Sequence, residues 1–135
     1  MKNNQNIINS LSYCGLICDL CFNRDKCDGC KKLNNICKKN CSVKACYQKN
    51  CCLEKGLNGC WECSNIYECL EGIYALDDIS KVKAFAICIR EDGQQKFIEY
   101  VLKNMDNYGW SVEKGKDYDN KTIKEVLLML RKGKI

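Results

Sequence analysis

The sequence of 135 residues contains no histidine and no proline, and it has no long apolar run. Without histidine, the chain lacks the commonest general acid and base, and a metal site has no imidazole ligand. No segment approaches the 18 apolar residues that a membrane-spanning helix needs, so we expect no contact with a membrane. The N-terminus has asparagines after one lysine and no apolar core, so we predict no signal peptide.

Cysteine, in contrast, is abundant. The chain has 14 cysteines, of which 13 lie between Cys14 and Cys69 and the last is Cys88. Without a signal peptide we predict a cytoplasmic protein, in which thiols stay reduced and bind metals more often than they form disulfides. The adjacent Cys51 and Cys52 also fit poorly into a disulfide scaffold, because neighbouring residues form a bridge only with strain.

The cysteine spacings predict metal sites. Three C-x2-C pairs are present, Cys18 with Cys21, Cys27 with Cys30, and Cys60 with Cys63, and structural zinc sites are commonly built from two such pairs. We predict two to three zinc ions with ligands from the following set: Cys14, Cys18, Cys21, Cys27, Cys30, Cys37, Cys41, Cys46, Cys51, Cys60, Cys63 and Cys69. The spacings leave open which cysteines share an ion.

Two alternatives use the same thiols differently. An iron–sulfur cluster for electron transfer or redox sensing also takes all-cysteine ligands. The C-x3-C-x2-C spacing of "CGLICDLC" also holds the open cluster of radical S-adenosylmethionine enzymes, but the chain is shorter than the barrel of about 200 residues that those enzymes need. A thiol-based enzyme or metal-handling protein would need a reactive thiolate. Cys52 is the candidate, because Lys49 and Lys55 favour its ionised form, whereas the simpler interpretation is a buried, inert sulfur. No further catalytic group is evident, so an enzyme is disfavoured.

The charge pattern argues against nucleic acid as the partner. The net charge is +5, and residues 1–70 hold ten Lys and Arg against six Asp and Glu. A zinc ion with four thiolates carries two negative charges, so three sites would turn the +4 of this region into about −2. We therefore expect the lysines to neutralise thiolates, and we predict a protein partner that the sequence does not identify.

The second half has the periodicity of amphipathic helices. We predict a short helix over "LEGIYAL", a helix from Ile79 to Arg90, one over Phe97 to Met105, and one that begins at a capping box of Thr122 and Glu125. A short strand is expected at 110–113. Cys88 lies on an apolar helix face and is predicted to be a small core residue.

Together these patterns predict a small, metal-organised domain. We expect a flexible extension over 1–11, a loop-dominated cysteine-rich region over 12–70, and three to four helices over 71–135 packed on it.

The cysteine pattern resembles a known family. "SYCGLICDLC", "CDGC", "CSVKAC" and "CLEKGLNGCWEC", with Cys69 after them, are similar to the uncharacterised bacterial and archaeal proteins of domain of unknown function 3795. The resemblance covers about residues 12–70 and implies a metal-binding protein, usually taken to hold zinc, with no assigned activity. The middle of the pattern aligns in two registers, one with Cys41 and Cys46 and the other with Cys46 and Cys51. Glu68 stands where the family has proline.

Overall fold

The structure, a computed structural model, describes residue 11 and residues 13–15, 47–75, 80–112 and 117–133. Within these ranges there are four α-helices and no β-strand. The α-helices are α1 (Tyr47–Lys55), α2 (Lys81–Asp92), α3 (Gln94–Tyr108) and α4 (Ile123–Lys132), and two 3₁₀ turns span Cys60–Glu62 and Gly72–Ala75. The helical second half is therefore confirmed. None of the helices in the described ranges has the length and apolarity that a membrane crossing requires.

Helix α2 lies at the centre of the described structure. Every residue from Lys81 to Ile89 is buried, so this helix has neighbours on all sides. It packs against α3 and α4 on one side and against the two 3₁₀ turns on the other. Helix α2 therefore contacts both the cysteine-bearing segments and the other helices of the second half.

Helices α2, α3 and α4 enclose the larger hydrophobic core. The ring of Phe85 packs against those of Phe97, at 5.2 Å between centroids, and Tyr118, at 5.7 Å. Cys88 is fully buried in this core, which confirms its predicted role. Leu11 is also buried there, and residues 1–10 of the predicted extension lie outside the described residues.

The predicted helix boundaries agree well with the observed ones. Helix α2 ends and α3 begins at Gly93, whose φ of +95° is rarely adopted by residues that have a side chain. Gly109 is left-handed and ends α3. The capping box is present, because Thr122 Oγ1 accepts a hydrogen bond from Glu125 N while Glu125 Oε1 accepts one from Thr122 N. Local sequence rules thus set these ends.

Two predicted elements are wrong. The first is "LEGIYAL", predicted to be an α-helix, whose described part, 70–75, forms only the 3₁₀ turn Gly72–Ala75. The hydroxyl of Tyr74 in this turn donates a hydrogen bond to the Cys14 carbonyl. Residues 110–112 form no strand, because Ser111 N donates to the Asp117 carboxylate at 2.8 Å instead of pairing with a strand. Glu113 lies outside the described residues.

Helix α1 was not expected, since its region was predicted to be loop. Among the side chains of α1 that the structure describes, Gln48 and Cys52 are buried, and they are one helical turn apart. Neither is an aliphatic residue, so a search for hydrophobic periodicity does not detect the buried face. Gln48 Nε2 donates to the Glu71 carbonyl at 2.7 Å, which joins α1 to the segment before the second 3₁₀ turn.

Candidate metal centre

A second, smaller core lies on the other side of α2, and its composition is unusual. It joins three cysteines to a tyrosine and a few aliphatic residues. The buried members are Cys14, Cys52, Cys60, Ile66, Tyr74, Val82, Ala86 and Ile87, with Cys69 packed against them and partly buried. We call Cys14, Cys52, Cys60 and Cys69 the thiol cluster. Thiols thus occupy the positions where four separate chain segments meet.

Two members of the thiol cluster, Cys52 and Cys60, are in direct contact. Cys52 is on the inward face of α1 and is 1% exposed, whereas Cys60 begins the first 3₁₀ turn and is 7% exposed. Their Sγ atoms are 3.8 Å apart, and neither cysteine is in a disulfide. The pair therefore consists of two buried thiols in direct contact.

Backbone hydrogen bonds hold the surrounding segments in place. Cys60 N donates to the Tyr13 carbonyl at 2.8 Å, and the Tyr74 hydroxyl donates to the Cys14 carbonyl at 2.8 Å. Lys83, on α2, donates from Nζ to the Cys69 carbonyl at 2.8 Å. These bonds fix the main chain at three of the four cysteines without using their sulfur atoms.

The surroundings disfavour ionisation of the Cys60 thiol and of the Tyr74 hydroxyl when no cation is bound. The hydrogen bond with Cys52 and burial raise the pKa of the Cys60 thiol far above its usual range. Burial, together with the charges that Cys14 and Cys60 would carry as thiolates, raises the pKa of the Tyr74 hydroxyl. Two adjacent thiolates would need a compensating positive charge, which a divalent cation supplies.

Cys51 and Cys63 lie on a different, more exposed side of the same elements. Both are half-buried, and the Lys55 ammonium is 3.7 Å from Cys63 Sγ. The nearby thiolate charges of Cys63 and Cys51 raise the pKa of Lys55. Lys55 is therefore the positively charged neighbour of this outer pair.

The backbone of the C-x2-C turn is held from α2. Arg90 Nη1 donates to the carbonyls of Trp61, at 3.0 Å, and Cys63, at 3.2 Å. Within the turn, Cys63 N donates to the Cys60 carbonyl at 3.0 Å. The Arg90 guanidinium thus fixes the carbonyl of Trp61, which lies between the two cysteines of the motif, and that of Cys63, its second cysteine.

The structure describes five of the twelve predicted ligands. These are Cys14, Cys51, Cys60, Cys63 and Cys69. The other seven lie outside the described residues: Cys18, Cys21, Cys27, Cys30, Cys37, Cys41 and Cys46. Among the side chains that are described, no three from His, Cys, Asp and Glu are close enough together to hold a metal ion.

Cys52 was missing from the predicted ligands, yet its sulfur is the one that approaches Cys60. Its burial favours the inert-sulfur interpretation over the reactive thiolate. Consecutive residues of a helix point about 100° apart, so Cys51 and Cys52 cannot both face the same side of α1. Recognising that residues 47–55 form a helix would have separated the two cysteines and favoured the one that follows Gln48 by a turn.

Comparisons with known proteins give no assignment. No protein-family model matches the sequence, and no curated protein or solved structure is significantly similar to it. The resemblance to domain of unknown function 3795 therefore stays a prediction.

Proposed function

We propose that the protein is a zinc-binding adaptor whose all-cysteine sites hold its first half together. The observation that carries the proposal is the contact between the buried thiols of Cys52 and Cys60. A single buried thiol such as Cys88 can be an ordinary core residue, but Cys52 and Cys60 bring two sulfur atoms together. In a chain without histidine, such thiols are the donor set that zinc takes in closed structural sites.

The surroundings fit that ion. When zinc is bound, it supplies a positive charge that stabilises the ligating sulfurs as thiolates and links the segments that carry them. Tyr74 and Lys83 hold the main chain beside Cys14 and Cys69 through hydrogen bonds to the carbonyls of these two residues. The more exposed Cys51 and Cys63 have Lys55 beside them, which offsets part of the negative charge of thiolate ligands.

The first experiment is elemental analysis with an absorbance spectrum, on protein purified anaerobically without added metal. We expect two to three zinc ions per chain and no visible absorbance, as the sequence predicts. Iron with acid-labile sulfide and a visible absorption band would overturn zinc in favour of the iron–sulfur alternative. A chain with neither metal would overturn both.

Chelation under reducing conditions tests whether the metal is structural. We expect removal of zinc to unfold the cysteine-rich half, which would make Trp61 and Tyr74 more accessible and the chain between α1 and α2 sensitive to protease. Helix α3, none of whose described residues packs against the smaller core, serves as the internal control. If chelation removed the zinc without changing circular dichroism or proteolysis, the structural role would be wrong.

The adaptor role rests on the surface of the same half. Leu53 on α1 and Leu70 before the second 3₁₀ turn are 58% and 69% exposed, and we propose these two leucines as the contact residues. We expect Leu53→Ser and Leu70→Ser together to abolish binding of a partner identified by cross-linking, with zinc content unchanged. The matched control is Met105→Ser, which alters an exposed apolar residue on α3. If the control abolished binding equally, this surface would not be the partner site.

A further inference from the structure

The distance between the sulfur atoms of Cys52 and Cys60 indicates how this pair would bind the proposed zinc. In a tetrahedral site with zinc–sulfur bonds of about 2.3 Å, neighbouring sulfurs are about 3.8 Å apart. The Sγ atoms of Cys52 and Cys60 have this separation, at 3.8 Å. A disulfide would need about 2.05 Å between the sulfurs, so the two thiols are not placed as a bridge.

The elements that carry the two cysteines also hold them there. Helix α1 is joined to the segment before the second 3₁₀ turn through Gln48, and Leu57 N donates to the Cys52 carbonyl at 2.8 Å just after the helix. Cys60 is fixed through its own amide, which bonds to Tyr13. Both sulfurs are thus presented from rigid backbone, as a metal site requires.

The adjacent cysteine has a different environment. Cys51 is half-buried and lies near Lys55, whereas Cys52 is almost completely buried in the smaller core, in contact with Cys60. The dipeptide therefore directs one thiol inward and the other outward.

We infer that Cys52 is a metal ligand and that it binds the same ion as Cys60. The inference rests on the proposed zinc-binding function and adds to the predicted ligand set a residue that its spacing did not select. Each thiol loses its proton to solvent when its sulfur binds the ion, so both ligands are thiolates in the loaded protein. Cys60, the first cysteine of the C-x2-C pair, then binds the same ion as Cys52 of α1.

Zinc stoichiometry of three variants tests this inference. We expect Cys52→Ser and Cys60→Ser each to lose one zinc per chain relative to the unmodified protein, after dialysis against a weak chelator under reducing conditions. The double variant should also lose one ion and not two, because both sulfurs belong to one site. Cys88→Ser is the matched control for loss of a buried thiol, and it should keep the full zinc content, since Cys88 lies in the other core.

Cadmium provides a second test that needs no substitution. With ¹¹³Cd in place of zinc in the full chain, we expect one cadmium resonance to show scalar coupling to the β-protons of both Cys52 and Cys60. This measurement stands even if the serine variants do not fold.

The outcomes separate this inference from the function on which it rests. Full zinc content in Cys52→Ser, loss of two ions in the double variant, or coupling of the two cysteines to different cadmium resonances would overturn the shared site and leave zinc binding intact. An unmodified protein that binds neither zinc nor cadmium would overturn both.

Discussion

Lys81 and Asp119 form an ion pair inside the protein, with 2.6 Å between Lys81 Nζ and Asp119 Oδ1. Their side chains are only 2% and 6% exposed. Lys81 is the first residue of α2, and Asp119 belongs to the turn that precedes α4, so the pair joins the central helix to the end of the chain. Burial removes water from both charges, and each therefore depends on the other for compensation.

We expect Asp119→Ala to lower the free energy of unfolding by about 3–5 kcal/mol, because it leaves the Lys81 ammonium buried without its carboxylate. Urea unfolding at neutral pH measures the change. The control is Asp106→Ala on the exposed face of α3, which should change stability by less than about 0.5 kcal/mol. The double variant Lys81→Met with Asp119→Ala should recover much of the loss. If it were as unstable as the sum of the single variants, charge compensation would not be the reason.

A second prediction concerns acid stability. Hydrogen bonds from the Tyr67 hydroxyl and the Arg131 guanidinium hold the pKa of Glu91 below its usual range. A carboxylate with a lowered pKa in the folded state stabilises the protein above its ordinary pKa, and this contribution disappears as the pH falls through the folded value. The contribution is therefore full at neutral pH and is lost at a pH below about 4.

Glu91→Gln should accordingly reduce stability at pH 7 by no more than about 1 kcal/mol, since the ion pair with Arg131 is partly exposed. We expect the difference between variant and unmodified protein to shrink as the pH falls below the ordinary pKa of a glutamate, about 4, in urea titrations of both proteins across the pH range. Tyr67→Phe, which removes one donor, should shrink the same difference. A difference that stayed constant down to pH 3 would contradict the assignment.

The helices of the second half could be predicted because aliphatic residues carry their periodicity. Val126 and Leu130 on α4, like Phe97 and Val101 on α3, are buried where the spacing placed them. Glycines and the capping box of Thr122 indicated where these helices begin and end. Such signals are local in sequence, so they are visible without knowledge of the fold.

The thiol cluster could not be derived in the same way. A C-x2-C spacing identifies a candidate pair of ligands, but Cys60 contacts Cys52, from a helix whose buried residues, among those described, are a glutamine and a cysteine. The predicted strand at 110–113 failed for a related reason. Strand pairing depends on a distant partner, and Ser111 bonds to a side chain in the following turn.

Gly15 provides a test of how the N-terminal segment packs on α2. Its φ is +111°, and an added Cβ would lie 3.1 Å from Ala86 N and 3.2 Å from Val82 O, which belong to the helix backbone. Gly15→Ala should therefore be destabilising through both backbone strain and crowding, by more than the roughly 1–3 kcal/mol that strain alone costs. The matched control is Gly93→Ala, because Gly93 has a similar φ of +95° and no atom within 4 Å of its added Cβ. Equal losses in urea unfolding would show that packing against α2 is unimportant.

The last prediction separates support of the metal centre from general stability. Arg90 donates hydrogen bonds to the carbonyls of Trp61 and Cys63, and it thereby orients the turn that carries the C-x2-C motif. Groups that position ligands commonly change metal affinity by about 10- to 100-fold, so we expect Arg90→Ala to weaken zinc binding by about tenfold in competition with a chromogenic chelator. Arg90→Lys should restore little, because one ammonium does not reproduce the planar guanidinium.

The control for this prediction is Arg131→Ala. Arg131 forms ion pairs with Glu91 and Asp92, so its loss should lower the free energy of unfolding while zinc affinity stays unchanged. Arg90→Ala should have the opposite profile, with a clear loss of affinity and a smaller effect on the helical core. If both variants weakened zinc binding in proportion to their loss of stability, Arg90 would act only through the fold, and the positioning of Cys60 and Cys63 would not depend on it.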